Sequence, residues 1–257
     1  MTPIYNDKII KFYGADPREI PLYGFADTAR YLKLPVITLR SWVYGRNYRK
    51  CGEKRKSLPV IQLPDKNTPL LSFMNLVEVH VLSAITRVHK VQFNKVRNTL
   101  RTLERLNNNA SDLHPLANND FWVDKFDIFV EEQGDYICTS RDGQIVIKEV
   151  VEQYLLRVDR LVDLTAFRIY PFSKKLLFSS LKDNPKTVLE NSPKNISIDP
   201  LISFGRPTIS GTGIATNVIA GKFKAGEKIE NLAKDYEIEE KQIQEAIEYE
   251  GIYLKVA

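Results

Sequence analysis

The stretch GFADTARYLKLPVITLRSWVYGRNYRKCGEKRK, Gly24 to Lys56, decides the N-terminal fold. Apolar side chains recur at helical spacing before and after a short break, which predicts two short helices joined by a tight turn. Pro35 suits the beginning of the second helix, because the N–H that it lacks would be unpaired there in any residue. Two helices at this spacing form a helix-turn-helix, whose second member can lie in the major groove of DNA.

A dense run of cations follows the second predicted helix, and Glu53 is the only opposing charge within it. Such a cluster neutralises phosphates and releases counterions from DNA. A solvated, charged loop is the simpler explanation of a charge run taken alone. The order helix, turn, helix and basic hairpin favours DNA binding, since a winged helix places its wing beside the recognition helix. The cations are Arg46, Arg49, Lys50, Lys54, Arg55 and Lys56.

The second helix and the loop after it supply the candidate DNA contacts. Side chains of the helix would face the groove, and those of the loop would hold phosphates. Arg40 could do either, and the sequence does not separate the two roles. The helix candidates are Val36, Ile37, Thr38, Arg40, Ser41 and Tyr44. The loop candidates are the cations above together with Asn47 and Tyr48.

Composition sets limits on the class of protein. The chain has 257 residues, of which 43% are hydrophobic and 27% charged, as expected for one to three globular domains. The formal net charge of +5 suits an acidic partner such as double-stranded DNA. Cys51 and Cys138 lack any CxxC or Cys/His spacing, which argues against a zinc site and favours a reducing cytosol. No apolar run approaches a membrane span of roughly 20 residues, so we expect a cytoplasmic protein without membrane contact.

The remaining pattern predicts an α+β protein in three parts, with domains at 1–106, 107–190 and 191–257. In the first, Leu58 to Pro64 is expected to be the returning wing strand and Ser72 to cap a helix through Val88. One face of a second helix, 91–106, could meet phosphate, but a solvated helix surface is the simpler explanation. That face carries Lys95, Arg97, Arg101 and Arg105.

The middle part alternates apolar and polar residues before 150, which predicts a small β meander. A helix over Val150 to Asp159, a strand over Thr165 to Phe172 and a polar linker over Lys174 to Asn195 are expected after it. Neither a nucleophile–base pair nor a metal or cofactor motif is recognisable, so we predict no enzyme activity, no catalytic residues and no cofactor.

The C-terminal part contains the glycine-rich stretch FGRPTISGTGI, 204–214. It lacks the phosphate-loop pattern GxxxxGK[ST] and is therefore expected to form tight turns before a helix capped by Thr216. Two further helices follow in a helix-turn-helix-like arrangement. Their acidic surface would be repelled by phosphate, which favours protein contact or dimerisation. The acidic residues are Glu227, Glu230, Asp235, Glu237, Glu239, Glu240, Glu245, Glu248 and Glu250.

Two segments also resemble known families. The stretches TLRSWVYGRNY, 38–48, and LLSFMNLVEVHVLSAI, 70–85, resemble the beginning of MerR-type regulators, which implies a winged helix-turn-helix over about Pro21 to Leu106. The chain departs from that family in having no long heptad helix after Leu106 to form the usual dimerisation coil. Because repressors commonly read paired half-sites with two-fold symmetry, we nevertheless expect a homodimer.

The second resemblance covers Ile196 to Tyr249, where Asp-Pro, Gly-Arg-Pro, Gly-Thr and a closing Ala-x-x-Tyr are similar to domain of unknown function 433. Proteins that join this domain to a MerR-like part resemble VapB-type antitoxins. The resemblance implies an antitoxin that binds a PIN-like ribonuclease toxin and represses its own operon. A stand-alone MerR-like transcription regulator with a ligand- or protein-sensing C-terminal domain is the alternative.

The antitoxin interpretation gives candidate toxin contacts in the glycine loop: Arg206, Gly205 and Thr212. PIN-like ribonucleases hold Mg²⁺ with carboxylates, and an arginine could pair with those carboxylates. The alternative is that Arg206 hydrogen-bonds carbonyl groups of its own loop.

Overall fold

The structure is a computed structural model that describes residues 14–50, 52–88, 97, 114–117, 151–173 and 185–252. The described part is α+β, as predicted, with helices and small antiparallel sheets. Its N-terminal elements are α1 (Phe25–Tyr31), α2 (Val36–Tyr44), β1 (Asn47–Lys50), β2 (Glu53–Lys56) and α3 (Phe73–Val88).

The helices α1 and α2 form the predicted helix-turn-helix. Phe25 and Ala29 of α1 and Leu39 and Trp42 of α2 are buried in a common core. Lys33 adopts a left-handed conformation with φ of 55°, which reverses the chain between the two helices.

The returning hairpin strand lies earlier than the sequence predicts. β1 and β2 are antiparallel, with Asn47 opposite Lys56, so Glu53–Lys56 is the returning strand. The prediction of a strand at Leu58 to Pro64 is wrong, because that segment pairs with a helix end instead. The backbone N–H groups of Val60 and Ile61 both donate to the carbonyl of Trp42, at 2.7 and 3.2 Å.

The helix α3 begins where predicted. The Asn75 N–H donates to Ser72 Oγ at 3.2 Å, and the Ser72 N–H donates to Asn75 Oδ1 at 3.1 Å, forming a reciprocal cap. Of the predicted helix 91–106, only Arg97 lies within the described residues. Arg97 is 5% exposed, so its prediction as a solvated side chain is wrong.

The middle part contains a two-stranded sheet of β3 (Val158–Arg160) and β4 (Ala166–Ile169). The predicted helix ends early, since residues 151–155 are helical but Asp159 lies in β3. Most of the predicted β meander lies outside the described residues. A six-residue helix, α4 (Pro185–Glu190), occurs in the stretch predicted as a linker, with proline as its first residue.

The C-terminal part pairs β5 (Ile196–Ser197) with β6 (Thr208–Ile209) and continues into α5 (Thr216–Lys224), α6 (Ile229–Tyr236) and α7 (Glu240–Tyr249). The cap prediction for α5 is wrong by one residue, because Ala215 is the N-cap and Thr216 is buried within the first turn. This part has its own core, formed by Ile196, Ile209, Ile219, Leu232, Ile243, Ala246, Ile247 and Tyr249.

A second, larger core joins the N-terminal and middle parts. Leu76 and Val77 of α3 belong to the same buried cluster as Tyr154, Ile169 and Phe172. The division into domains 1–106, 107–190 and 191–257 stays a prediction. Within the described ranges, no helix has the length and apolar character that crossing a membrane requires.

The end of α7 packs on α1, which connects the two cores. Glu250 Oε2 lies 2.5 Å from Arg30 Nη1, and the Tyr249 hydroxyl donates to the Tyr31 carbonyl at 2.9 Å. The Lys33 ammonium donates to the Tyr249 carbonyl and lies 3.9 Å from the centre of its ring. The C-terminal part therefore contacts the first helix of the helix-turn-helix directly.

Candidate nucleic-acid interface

One side of α2 is free of the core. Ile37 is 76% exposed and Tyr44 43%, and Arg40 between them is exposed as well. Thr38 and Ser41 are half-buried, and the Ser41 hydroxyl donates to the Thr38 carbonyl at 2.7 Å. Ile37, Arg40 and Tyr44 are three and four residues apart and therefore lie on one face of the helix.

The exposed residues of α2 rest on aromatic packing. The rings of Phe25 and Tyr44 stack with their centres 5.3 Å apart. The guanidinium carbon of Arg40 lies 5.8 Å from the centre of the Phe25 ring. Phe25 is buried and therefore provides a fixed platform under both side chains. Val36, by contrast, is half-buried against the core.

The hairpin β1–β2 carries the predicted cations into solvent. Arg49 stands opposite Lys54, and Tyr48 opposite Arg55. Arg55 Nη2 lies 3.0 Å from Glu53 Oε2 in an exposed ion pair. Like charges directly opposite each other destabilise a two-stranded sheet. A bound anion would relieve the repulsion between Arg49 and Lys54. The exposed hairpin residues are Arg46, Asn47, Tyr48, Arg49, Lys54, Arg55 and Lys56, and Lys50 ends β1.

The root of the hairpin is fixed to the end of α2. Gly45 has φ of 76°, and a Cβ there would overlap the Ser57 carbonyl oxygen, so only glycine fits. The Ser57 N–H donates to the Arg46 carbonyl at 2.9 Å, and the Arg46 N–H donates to Ser57 Oγ at 2.7 Å. The position of the basic hairpin is consequently fixed relative to the end of α2.

The candidate toxin contacts are not assembled into one exposed surface. Arg206 is exposed, and within the described part of the chain its side chain makes no hydrogen bond or ion pair. Gly205 is buried against Tyr23. The Thr212 hydroxyl donates to the Ile209 carbonyl at 2.8 Å and accepts the Ile214 N–H at 3.1 Å, so it shapes the turn.

Phe204 is a candidate functional residue that the sequence pattern did not reveal. This side chain is 85% exposed, and both Ser203 and Phe204 have positive φ, of 48° and 55°. Left-handed conformations in non-glycine residues are costly and occur often at functional sites. The sequence did contain one signal of its exposure, which is that a bulky aromatic residue lies within a glycine-rich turn.

The acidic surface of the C-terminal helices is smaller than predicted. Glu245 is 5% exposed and accepts a hydrogen bond from the Ser173 hydroxyl. Glu250 pairs with Arg30, and its Oε1 accepts the Thr216 hydroxyl at 2.5 Å. These two carboxylates hold the parts of the chain together, so their prediction as surface charges is wrong.

Two family profiles match separate segments of the chain. The profile described as "Putative DNA-binding HTH domain" matches residues 21–100, which include α1, α2, the hairpin and α3. The profile described as "Protein of unknown function (DUF433)" matches residues 196–249, which span β5 to α7. The expected helix-turn-helix domain and domain of unknown function 433 are therefore both confirmed, whereas the MerR-like character of the first stays a prediction.

Relatives and a solved structure cover most of the chain. A protein of Mycobacterium tuberculosis (strain ATCC 25618 / H37Rv) named "Putative antitoxin VapB45" is 26% identical over 246 residues, which are 90% of this chain and 94% of that protein. "Uncharacterized protein Rv2308" of the same strain is 25% identical over 232 residues, 90% of this chain and 91% of that protein. The crystal structure of Rv2018 from Mycobacterium tuberculosis has a TM-score of 0.58 at 22% identity, covering 89% of this chain and 98% of that one. It shares the fold.

Proposed function

We propose that the protein is a cytoplasmic, non-catalytic antitoxin that binds the DNA of its own operon as a repressor. The observation that supports the DNA-binding role is that Arg40 and Tyr44 of α2 are exposed and that an exposed basic hairpin, with Arg46, Arg49 and Lys54, is held at its root to the end of the same helix. The antitoxin role draws on the similarity to the relative named VapB45.

Bases and phosphates are assigned to different parts of this surface. Arg40, Ser41 and Tyr44 would enter the major groove with Ile37, while the hairpin cations would hold the flanking phosphates. A homodimer would present this surface twice to a two-fold symmetric operator.

The experiment is Arg40→Ala, tested by fluorescence anisotropy on the double-stranded DNA upstream of the gene. Because Arg40 is exposed and does not enter the core, we expect DNA affinity to fall about tenfold or more with an unchanged melting temperature. Lys234→Ala, at an exposed position of α6, is the matched control and should leave affinity unchanged. Equal affinities of wild type and Arg40→Ala would remove Arg40 from the interface.

The toxin contact is assigned to the loop around Arg206, with a PIN-like ribonuclease as the partner. Its exposed guanidinium suits the carboxylates of a metal site, and exposed Phe204 supplies an apolar anchor beside it. Gly205 and Thr212 act by shaping the loop.

Growth rescue tests this assignment. Cells expressing the product of the neighbouring toxin gene should be rescued by the wild-type chain but not by Arg206→Ala or Phe204→Ala. Full rescue by both variants, with both proteins at wild-type levels, would place the toxin contact elsewhere. Failure of the wild-type chain to rescue growth or to co-purify with that product favours the alternative function, a stand-alone transcription regulator.

A further inference from the structure

The tyrosine that closes the Ala-x-x-Tyr pattern of the C-terminal part, Tyr249, is packed against the helix-turn-helix. Its side chain is buried, with the residue 1% exposed. Its hydroxyl donates to the carbonyl of Tyr31, which is the last residue of α1. The proposed function gives this contact between distant parts of the chain no role.

The Tyr249 hydroxyl completes the C-terminal cap of α1. The last carbonyl groups of a helix lack hydrogen-bond partners within the helix itself. In α1, the carbonyls of residues 28–30 accept the N–H groups of residues 32–34 at 2.9 to 3.3 Å. The carbonyl of Tyr31 accepts the Tyr249 hydroxyl at 2.9 Å. Because α1 has only seven residues, its end depends on a side chain supplied by α7.

The turn between α1 and α2 is held by α7 as well. Lys33 has φ of 55°, a left-handed conformation that is costly for a residue other than glycine and persists where surrounding contacts hold it. The Lys33 ammonium donates to the Tyr249 carbonyl and lies 3.9 Å from the centre of the Tyr249 ring. These contacts stabilise the turn at the place where the chain enters α2.

The next residue, Glu250, joins α1 to the body of the C-terminal part. Its Oε2 lies 2.5 Å from Arg30 Nη1, and its Oε1 accepts the hydroxyl of Thr216, in α5, at 2.5 Å. The Glu250 side chain is 9% exposed, so solvent screens this ion pair less than it screens a fully exposed one. Two consecutive residues at the end of α7 therefore hold α1 and the turn after it.

The two ends of α2 are held by different parts of the chain. Its last turn is tied to the segment after the basic hairpin, since the Trp42 carbonyl accepts two N–H groups from that segment. Its first turn follows directly after the turn at Lys33, and the exposed side chains of Ile37 and Arg40 lie in this half of the helix. Loosening of the turn should displace these candidate groove contacts and leave the hairpin cations in place.

We propose that Tyr249 is a positioning residue for DNA recognition, through which the C-terminal part holds the first half of α2 in the orientation that reads bases. The inference rests on the proposed function, because it concerns the same DNA surface. Base contacts require side chains placed to within about half an ångström. Attraction to phosphates acts over a Debye length of roughly 8–10 Å. Loss of the Tyr249 contact should therefore reduce sequence-specific binding more than non-specific binding.

Fluorescence anisotropy on two DNA duplexes tests this difference. The first is the double-stranded DNA upstream of the gene, and the second has the same length and base composition in scrambled order. Tyr249→Phe removes only the hydroxyl that caps α1. The ratio of the two affinities should fall about fivefold or more, as one misplaced base contact predicts, and affinity for the scrambled duplex should stay at the wild-type value. Tyr236→Phe, in α6, is the matched control and should keep the wild-type ratio.

Hydrogen exchange measures the turn in the absence of DNA. In Tyr249→Phe, the amides of residues 32–39 should exchange several-fold faster than in wild type, whereas those of α3 should keep the wild-type rate. Should Tyr249→Phe not fold, Glu250→Gln takes its place, because it breaks the ion pair with Arg30. The same directions of change are expected for it in both measurements.

The proposal would be overturned by unchanged exchange at residues 32–39, or by faster exchange with an unchanged ratio of affinities. An equal loss of affinity for both duplexes would also overturn it, since that result indicates general unfolding. A wild-type chain that does not prefer the upstream DNA would refute the proposed function and with it the role of Tyr249 in recognition. Exchange would then still decide whether α7 holds the turn of the helix-turn-helix.

Discussion

Gly205 is the point at which the glycine loop contacts the N-terminal part. Its φ is 71°, and a Cβ there would overlap the Tyr23 hydroxyl and lie 2.9 Å from Tyr23 Cζ. Gly211, in the same loop, has a similar φ of 80° but open space around it. Substitution of Gly211 therefore measures backbone strain alone, whereas substitution of Gly205 measures backbone strain together with steric overlap.

We predict that Gly205→Ala destabilises the protein more than Gly211→Ala. Both alanines adopt a left-handed conformation at a cost of about 1–2 kcal/mol. Gly205→Ala additionally displaces Tyr23, which should add roughly 1–3 kcal/mol. Urea unfolding measures both free energies, and equal losses for the two variants would contradict the packing of this loop on Tyr23.

His114 joins two carboxylates beneath α3. Its Nδ1 lies 3.0 Å from Glu78 Oε2, and its Nε2 lies 2.8 Å from Glu19 Oε2. Burial lowers the pKa of His114, but the hydrogen bonds to Glu19 and Glu78 outweigh it and raise the pKa from 6.5 to about 10. The folded protein consequently holds this proton far above the pH at which the unfolded chain releases it.

We predict that His114 makes stability fall as pH rises. The contribution of a raised pKa is complete below about pH 6.5 and is lost as pH increases to about 10. Lys33 acts in the opposite direction, since burial lowers its pKa to about 8. Thermal unfolding of wild type and His114→Gln between pH 6.5 and 10 isolates the histidine, because both chains retain Lys33. The wild type should lose its advantage across this range, and parallel curves would contradict the assignment.

At the scale of elements, the hairpin β1–β2 is short, solvent-exposed and dominated by like charges. Its two strands contain four residues each, and every described side chain of β2 is exposed. It has no apolar face to pack, so its position depends on its root at Gly45 and Ser57. An element of this composition suits the binding of a polyanion.

We predict that the double variant Arg49→Ala and Lys54→Ala weakens the salt dependence of DNA binding. Each lost phosphate contact reduces the slope of log affinity against log salt by about 0.9. Anisotropy titrations over a range of salt concentrations measure it. The double variant Lys228→Ala and Lys234→Ala, which removes the same charge from the C-terminal part, should retain the wild-type slope. Equal slopes in the two double variants would exclude the hairpin from the interface.

Helices proved easier to predict than strands. The apolar periodicity of α2 and the Ser72 cap of α3 are local signals. The helix α3 begins at the expected place, and α2 begins one residue later than expected, with Pro35 as its N-cap. The Leu58 to Pro64 segment has the apolar composition of a strand, but its N–H groups are used by Trp42 of the preceding helix. The local pattern of apolar and polar residues does not reveal that these N–H groups bond to a helix elsewhere in the fold.

At the scale of the whole molecule, the contact between α1 and α7 joins residues at opposite ends of the chain. Arg30 meets Glu250, and Tyr31 meets Tyr249. Burial and the neighbouring charge of Glu250 raise the pKa of Tyr249 well above its usual value, so its hydroxyl stays a donor. The sequence predicts Glu250 as a surface charge, because charge alone does not indicate a partner more than two hundred residues away.

The candidate site, like the fold, was predictable from the sequence only in part. The exposure of the hairpin cations and of Ile37, Arg40 and Tyr44 in α2 follows from helical periodicity and charge. The burial of Arg97 and the exposure of Phe204 depend on how separate elements pack, and no single segment contains that information.

Site-specific photocrosslinking tests the central claim most directly. The photoreactive residue p-benzoylphenylalanine replaces Tyr44, Tyr48 or Phe204, all exposed aromatic side chains, in otherwise identical full-length chains. With the double-stranded DNA upstream of the gene, we predict DNA adducts from positions 44 and 48 and none from 204. Adducts from position 204 alone would contradict the assignment of DNA binding to α2 and the basic hairpin.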